Sequence, residues 1–235
     1  MAGSGRRMKE EGIVDLKPFI DVLGKPMFVR VLENIASSHL VEVLLAVRAG
    51  TADIANFHIE RSGICDRMEI KTIELEGPTS SDLESLRLVL GNLREEATVM
   101  SVNCDQWFEG GIDDIYRDYS KQQWTTSVLT GIDGEEAFAG CKVDSGLVVQ
   151  MGRSLRTKCF ATGLYFLGRR CQLEQDIDCF MALGEYSPNR SRDIVGLLQH
   201  RIENGEKLGH INFKRRFFSM GNPDSLTETL RINPF

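Results

Sequence analysis

Lys17-Pro18-Phe19-Ile20-Asp21-Val22, followed after Leu23 by Gly24-Lys25-Pro26-Met27, is the stretch from which the fold can be read outward. From Pro26 to Ile35, the residues Met27, Phe28, Val31, Leu32 and Ile35 recur at the spacing of one helical face. Proline suits the opening turn because its missing N–H would have no partner there. A loop therefore runs into a helix. Val41 to Val47 is a short β-branched and apolar run, which reads as a buried strand of the kind found in parallel sheets. Ser81 to Leu93 carries Leu83, Leu86, Leu90 and Leu93 at helical spacing, with Ser81 and Glu84 as a capping box, and Ala97 to Val102 reads as the next strand. Further on, Trp124 to Leu129, Leu147 to Gln150 and Phe160 to Leu167 read as strands joined by polar, glycine-containing connections. Ile194, Leu197, Leu198 and Ile202 share a stripe that stops at Asn204-Gly205, and a last helix follows Pro223. This alternation predicts an α/β fold, a three-layer α/β/α sandwich around a mixed, mostly parallel central sheet, in one domain spanning residues 1–235.

The 235 residues are 42% hydrophobic, enough for such a core. Lys and Arg total 28 against 34 Asp and Glu, with no long block of either sign, so nucleic acid is not an expected partner and any phosphate recognition must be local. Cys65, Cys104, Cys141, Cys159, Cys171 and Cys179 form no C-x-x-C pair. Neither a signal peptide nor a long apolar span is visible, so the expected setting is the reducing cytoplasm, away from membranes. No two of the four histidines stand at the spacing that puts paired zinc ligands on one helix face.

The chain opens Met1-Ala2-Gly3-Ser4-Gly5-Arg6-Arg7, where two glycines flank a small polar residue. Such a turn lets backbone N–H groups wrap a phosphate, and it equally describes a mobile terminus. Ten residues beyond Arg7 comes the Lys17-Pro18 segment with its Gly24-Lys25-Pro26-Met27 helix start. In this order the segment resembles the signature of the sugar-phosphate nucleotidyltransferase family, which pairs a glycine-rich loop ending in arginine with a Lys-Pro motif and a Gly-Lys-Pro-Met helix start. Further stations follow in the family's order: Glu76-Gly77-Pro78-Thr79-Ser80-Ser81, Asn103-Cys104-Asp105-Gln106, Gly163-Leu164-Tyr165-Phe166 and Gly221-Asn222-Pro223-Asp224. The likeness is greatest to members linked to capsule and surface-polysaccharide synthesis.

The resemblance implies a Mg²⁺-dependent transfer of a nucleoside monophosphate from a nucleoside triphosphate to a sugar phosphate, releasing pyrophosphate. Two anions must then be brought together while charge on the leaving pyrophosphate is stabilised. Arg7 would hold β and γ oxygens through its planar fork and Lys17 would set a point charge near the α-phosphate, with Ala2, Gly3, Ser4, Gly5 and Arg6 lining the triphosphate. Asp105 ends an apolar strand, where a carboxylate can hold Mg²⁺ or simply close a turn. Glu76, Gly77 and Thr79 would lie beside the nucleotide base, while Ser80 and Ser81 read as helix caps. Gly163 either admits the acceptor sugar to the backbone or marks a strand bulge. Tyr165 and Phe166 read as core, and Asp224 with Ser225 and Glu228 reads as the cap of the final helix.

Departures from the pattern are local. Relatives carry a short strand before the glycine-rich loop, so the first strand is expected to be missing here, or encoded upstream of Met1. Gly152-Arg153-Ser154 stands where many relatives have Glu-Lys, so Arg153 would replace a lysine on the sugar phosphate with altered geometry. Ser219 stands where some branches place a second metal-binding aspartate. Arg6 stands where a small hydroxyl residue is common. Two further readings follow from these differences: a cytidylyltransferase acting on a non-sugar phosphate, and a non-catalytic nucleotide-binding relative.

Overall fold

The computed structural model describes residues 16–37, 39–132, 138–183 and 191–235. The chain divides into two compact units, the first made of Met1–Thr79, Asn103–Tyr116 and Arg215–Phe235, the second of Ser80–Val102 and Arg117–Lys214.

In the first unit, Lys17–Phe19 form one 3-10 turn, with the buried Pro18 fixing its φ. Strands β1 (Asp21–Val22) and β2 (Lys25–Pro26) then pair antiparallel across Leu23-Gly24, both at positive φ, which is the backbone a two-residue hairpin turn demands. The Met27 N–H donates to the Ile20 carbonyl at 2.9 Å, and helix α1 (Met27–Ile35) begins there with Pro26 as its N-cap. Seven of its nine residues are buried, so the helix is held by apolar burial worth about 1.5–3 kcal/mol for each large side chain. Strand β3 (Glu42–Arg48), helix α2 (Ala52–Ser62) and strand β4 (Glu69–Leu75) follow. The two strands pair in parallel along their whole length. Strand β6 (Gln106–Phe108) and strand β12 (Phe217–Ser219) form an antiparallel ladder, and helix α7 (Pro223–Ile232) follows β12. Its cap is Asn222, not Asp224: the Asn222 side chain accepts from the Ser225 N–H at 2.9 Å and Ser225 Oγ accepts from the Asn222 N–H at 3.3 Å. With Pro223 at the first helical position, the capping role falls one residue earlier, on extended backbone.

The second unit holds helix α3 (Asp82–Leu90) and strand β5 (Thr98–Val102), then strands β7 (Thr126–Ile132), β8 (Gly140–Asp144), β9 (Leu147–Gly152), β10 (Cys159–Arg169) and β11 (Leu208–Asn212), with helices α5 (Arg170–Ala182) and α6 (Ile194–Glu203). Helix α4 (Asp113–Ser120) precedes β7. The strand order is β5-β10-β7-β11-β9-β8, and β10 also bridges β8, so five strands close on themselves and β5 stands outside the ring. Among the described pairs only β3–β4 and β7–β11 are parallel. The α/β composition is as expected, but these ladders are mixed and mostly antiparallel. One of the antiparallel pairings has a local cause: Ser145-Gly146, both at positive φ, fold β8 straight back onto β9, and such a turn forces antiparallel pairing there.

Ser81 caps α3 by accepting the Glu84 N–H at 3.2 Å, but Glu84 turns to the Ser80 N–H and hydroxyl, both at 2.6 Å, so the expected reciprocal box forms one residue off. The core of this unit gathers Val128, Leu167, Leu173, Ile177, Leu197, Leu198 and Leu208. Gly196 in α6 leaves no room for a side chain, since a Cβ would lie 1.7 Å from the Ser191 carbonyl oxygen. Gly196→Ala should therefore cost about 2–3 kcal/mol and lower the melting temperature by roughly 5–10 °C. A thermal unfolding curve shifted by less than a degree would contradict this packing.

Candidate functional site

Two residues 88 positions apart define the site in the first unit: the Lys17 ammonium sits on Asp105 Oδ2 as an ion pair and hydrogen bond. Each partner is held by a separate device. Lys17 opens the 3-10 turn that leads through the β1–β2 hairpin into α1, so its backbone is anchored by the buried face of that helix. Asp105 precedes β6. Its carbonyl accepts the Met220 N–H at 2.7 Å, extending the ladder in which Gln106 opposes Ser219. The buried Asn34 of α1 clamps the other end of β6, its amide donating to the Phe108 carbonyl and its oxygen accepting the Phe108 N–H, each at 2.8 Å. Helix α1 thus locates both partners.

Asp105 Oδ1 is buried and accepts no hydrogen bond among the described residues. A buried carboxylate oxygen left without a donor is costly unless something else supplies positive charge. Gly221 lies against the same group: a Cβ there would be 3.2 Å from Asp105 Oδ2, 3.2 Å from Ser219 Oγ and 3.7 Å from Lys17 Nζ. The result is a small opening lined by a carboxylate, a hydroxyl and an ammonium. It can receive a hard cation on Asp105 and an anionic oxygen on Lys17.

The other expected site residues fall elsewhere. Ala2, Gly3, Ser4, Gly5, Arg6 and Arg7 lie outside the described residues. Glu76, Gly77 and Thr79 form the loop after β4, with Glu76 exposed and the other two half-buried. A Cβ at Gly77 would meet nothing within 4 Å, so the space beside it is open. This loop leaves the carboxyl end of a parallel strand, where open α/β sheets receive ligands.

Gly163 and Arg153 belong to the second unit. Gly163, at φ +86°, sits where the register of β10 against β7 shifts, between the part of β10 that bridges β8 and the part that pairs with β5. A register shift at a positive-φ glycine accords with the bulge reading. Arg153 Nε donates to Asp193 Oδ2 at 2.7 Å, with half of the arginine side chain exposed. Asp193 in turn caps α6 by accepting the Gly196 N–H at 2.9 Å. Asp82 beside it accepts the Leu83 and Ile194 N–H groups at 2.8 and 3.1 Å, tying the starts of α3 and α6 together. Burial, and then the nearby Asp193 charge, push the Asp82 carboxyl above the usual range, against the pull of those N–H donors and Arg153. Tyr165, expected in the core, is buried, and burial pushes its phenol up.

Sequence reasoning did not assign Gly221 or Ser219 to the site. Two signals were visible: Ser219 stands where some branches of the resembled family place a second metal-binding aspartate, and Gly221 opens the Gly221-Asn222-Pro223-Asp224 station immediately before a proline-started helix. That context reads as helix capping.

The MobA-like NTP transferase domain model matches residues 1–129, more than half of the chain. No curated protein sequence matches it. Among solved structures, the nucleoside-diphosphate-sugar pyrophosphorylase from Vibrio cholerae RC9 is similar at a TM-score of 0.76 and 20% identity, over 98% of each chain. The inositol-1-phosphate CTP transferase from T. maritima is similar at 0.77 and 14% identity, over 98% of this chain and 91% of that one. An apo UDP-glucose pyrophosphorylase is similar at 0.76 and 12% identity, over 99% and 95%. These likenesses establish a shared fold over nearly the whole length. With the domain match running from the first residue past Lys17 and Asp105, the chain belongs to the MobA-like NTP transferase domain family.

Proposed function

We propose that the protein is a nucleotidyltransferase that moves a nucleoside monophosphate from a nucleoside triphosphate to a sugar phosphate, forming a nucleotide-sugar and pyrophosphate. The observation that carries this reading is the meeting of Lys17 with Asp105 at an opening that Gly221 keeps clear. The acceptor's phosphate oxygen attacks the α-phosphorus and the bond to pyrophosphate breaks. Lys17 places positive charge near the α-phosphate, where negative charge accumulates. Arg7, with the backbone of Ala2, Gly3, Ser4, Gly5 and Arg6, steadies the β and γ oxygens. Glu76, Gly77 and Thr79 border the base, and Gly163 and Arg153 serve the acceptor.

The buried, undonated Oδ1 of Asp105 suits a divalent cation, since Mg²⁺ is commonly held by one or two carboxylates together with substrate phosphates. Bound there, Mg²⁺ would neutralise charge on the triphosphate and polarise the α-phosphoryl group. The two units act as one nucleotidyltransferase domain over residues 1–235. The order α1-β3-α2-β4-α3-β5 is that of a layered sheet, which keeps the three-layer sandwich within this reading. A place in nucleotide-sugar supply for surface polysaccharide, in the cytoplasm, accords with the motif order and the scattered free cysteines. The shared fold with an inositol-1-phosphate CTP transferase supports a second acceptor class, a non-sugar phosphate, with the same nucleotide half.

The test is pyrophosphate release by the purified full chain, or the chain extended upstream, with each common nucleoside triphosphate and a set of sugar 1-phosphates and phosphorylated alcohols. Release should require Mg²⁺ and both substrates, with one nucleotide-linked product per pyrophosphate by mass spectrometry. Release that needs no acceptor, or none with any pair, would overturn the reading.

A further inference from the structure

Arg30, on α1, reaches back to the hairpin that precedes the helix. Its Nε donates to the Val22 carbonyl at 3.0 Å and its Nη2 to the Leu23 carbonyl at 2.6 Å. The hairpin needs such a hold. It pairs only two residues on each strand, one of them Pro26, which has no N–H to donate, and Leu23 keeps a φ of +54° without being glycine. Lys17 stands on the 3-10 turn that leads into this hairpin.

The guanidinium has a second neighbour. Its Cζ lies 5.0 Å from the centre of the Phe235 ring, a cation–π distance. The same ring meets Trp107 edge-on, with centroids 5.5 Å apart and planes at 71°. Trp107 is the middle residue of β6 and follows Asp105 by two positions. The end of α7 delivers Phe235 to this place: Asn233, at φ +51°, turns the backbone left-handed and gives its N–H to the Thr229 carbonyl at 3.0 Å. One aromatic ring therefore stands between the hairpin that follows Lys17 and the strand that follows Asp105.

We infer that Phe235 and Arg30 are positioning residues, which set Lys17 against Asp105 through the β1–β2 hairpin and β6. This rests on the nucleotidyltransferase reading above and adds to it two residues that act through that pair. Phe235 contributes its π-face: leucine would fill much of the volume but offer the guanidinium no region of negative charge. Arg30 contributes its fork: lysine keeps the charge, but an ammonium does not reproduce a planar pair of donors to two carbonyls.

Phe235→Leu, Phe235→Tyr and Arg30→Lys in the full chain test this with two measurements. The first is steady-state pyrophosphate release. The second is trace acetylation by acetic anhydride, with Lys17 labelling read by peptide mass spectrometry against the exposed Lys214. Phe235→Leu should raise Lys17 labelling about threefold relative to Lys214 and lower kcat about tenfold, with KM for the triphosphate within about twofold. Phe235→Tyr keeps the π-face and should match the unaltered protein in both. Arg30→Lys should behave as Phe235→Leu does, and it serves if the leucine variant does not fold. A ring that only fills space would lower the melting temperature and leave Lys17 labelling and the kcat of the folded protein unchanged. Unchanged labelling in both Phe235→Leu and Arg30→Lys overturns the inference, as does unchanged kcat in both, or a Phe235→Tyr protein no better than Phe235→Leu. Failure of the underlying reading looks different: the unaltered protein releases no pyrophosphate with any substrate pair, while the labelling still decides whether Phe235 and Arg30 hold Lys17 on Asp105.

Discussion

Asp105→Asn should lower kcat/KM by about three orders of magnitude while leaving the melting temperature within a few degrees, because it removes charge from the site without removing volume. The backbone of residue 105 is held through its carbonyl by the Met220 N–H at 2.7 Å, and nothing in the substitution touches that bond. The side chain is another matter. As a carboxylate it balances Lys17 with Oδ2 and keeps Oδ1 buried without a donor. An amide can still accept from Lys17 through its oxygen, but its NH₂ then fills the Oδ1 position and presents hydrogen to any cation. With its nitrogen facing the ammonium, the pair is lost instead. Either orientation removes the negative charge on which cation affinity depends. The loss should fall mainly on kcat, with KM for the acceptor changed less, because charge develops on the phosphates only as the reaction proceeds. Steady-state pyrophosphate release together with thermal unfolding decides the matter. Retention of more than a tenth of the activity in a folded Asp105→Asn protein would remove Asp105 from the chemistry.

How much of this was legible in the residues depended on how far each feature acts. Helix α1 could be read from Met27, Phe28, Val31, Leu32 and Ile35 because its pattern is local and its stripe is the face it buries. Helix α2 gave no such signal: Ile54 and Phe57 are exposed while Ala55 and Ile59 are buried, so the largest side chains point the wrong way for a pattern reading. Strand β10 was visible as an apolar run, but its partners were not. Pairing register is a tertiary property, and the exchange of β8 for β5 near Gly163 leaves no mark beyond one glycine. Reading alternation of strands and helices gives no sign of antiparallel partners, and it passes over the Ser145-Gly146 hairpin turn, which pairs β8 with β9. At the site, residues 17 and 105 could be joined only by family resemblance, since no periodicity links positions 88 apart. Strands β6 and β12, which bring Asp105 to Gly221, are three residues each, too short for any alternation to register.

Gly221→Ala isolates the opening from its lining, and it should reduce kcat/KM by about ten- to a hundredfold in a protein that folds normally. No left-handed backbone is involved, since Gly221 is absent from the positive-φ glycines, so alanine carries no conformational penalty there. The added methyl would stand 3.2 Å from both Asp105 Oδ2 and Ser219 Oγ, a few tenths of an ångström too close. One of them must yield. Ser219 is tied to the Gly221 N–H and its strand is paired to β6, so most of the movement falls on the Asp105 carboxylate. Shifting that group alters its contact with Lys17, 3.7 Å from the same methyl, and narrows the space between them. Small displacements of groups that orient a reacting phosphate are expensive in rate and cheap in stability. The combination expected is therefore a melting temperature close to that of the unaltered protein, a fall in kcat/KM, and weaker retention of Mn²⁺ with triphosphate. A fully active Gly221→Ala protein would mean that the opening beside Asp105 is not where the phosphates and their cation are received.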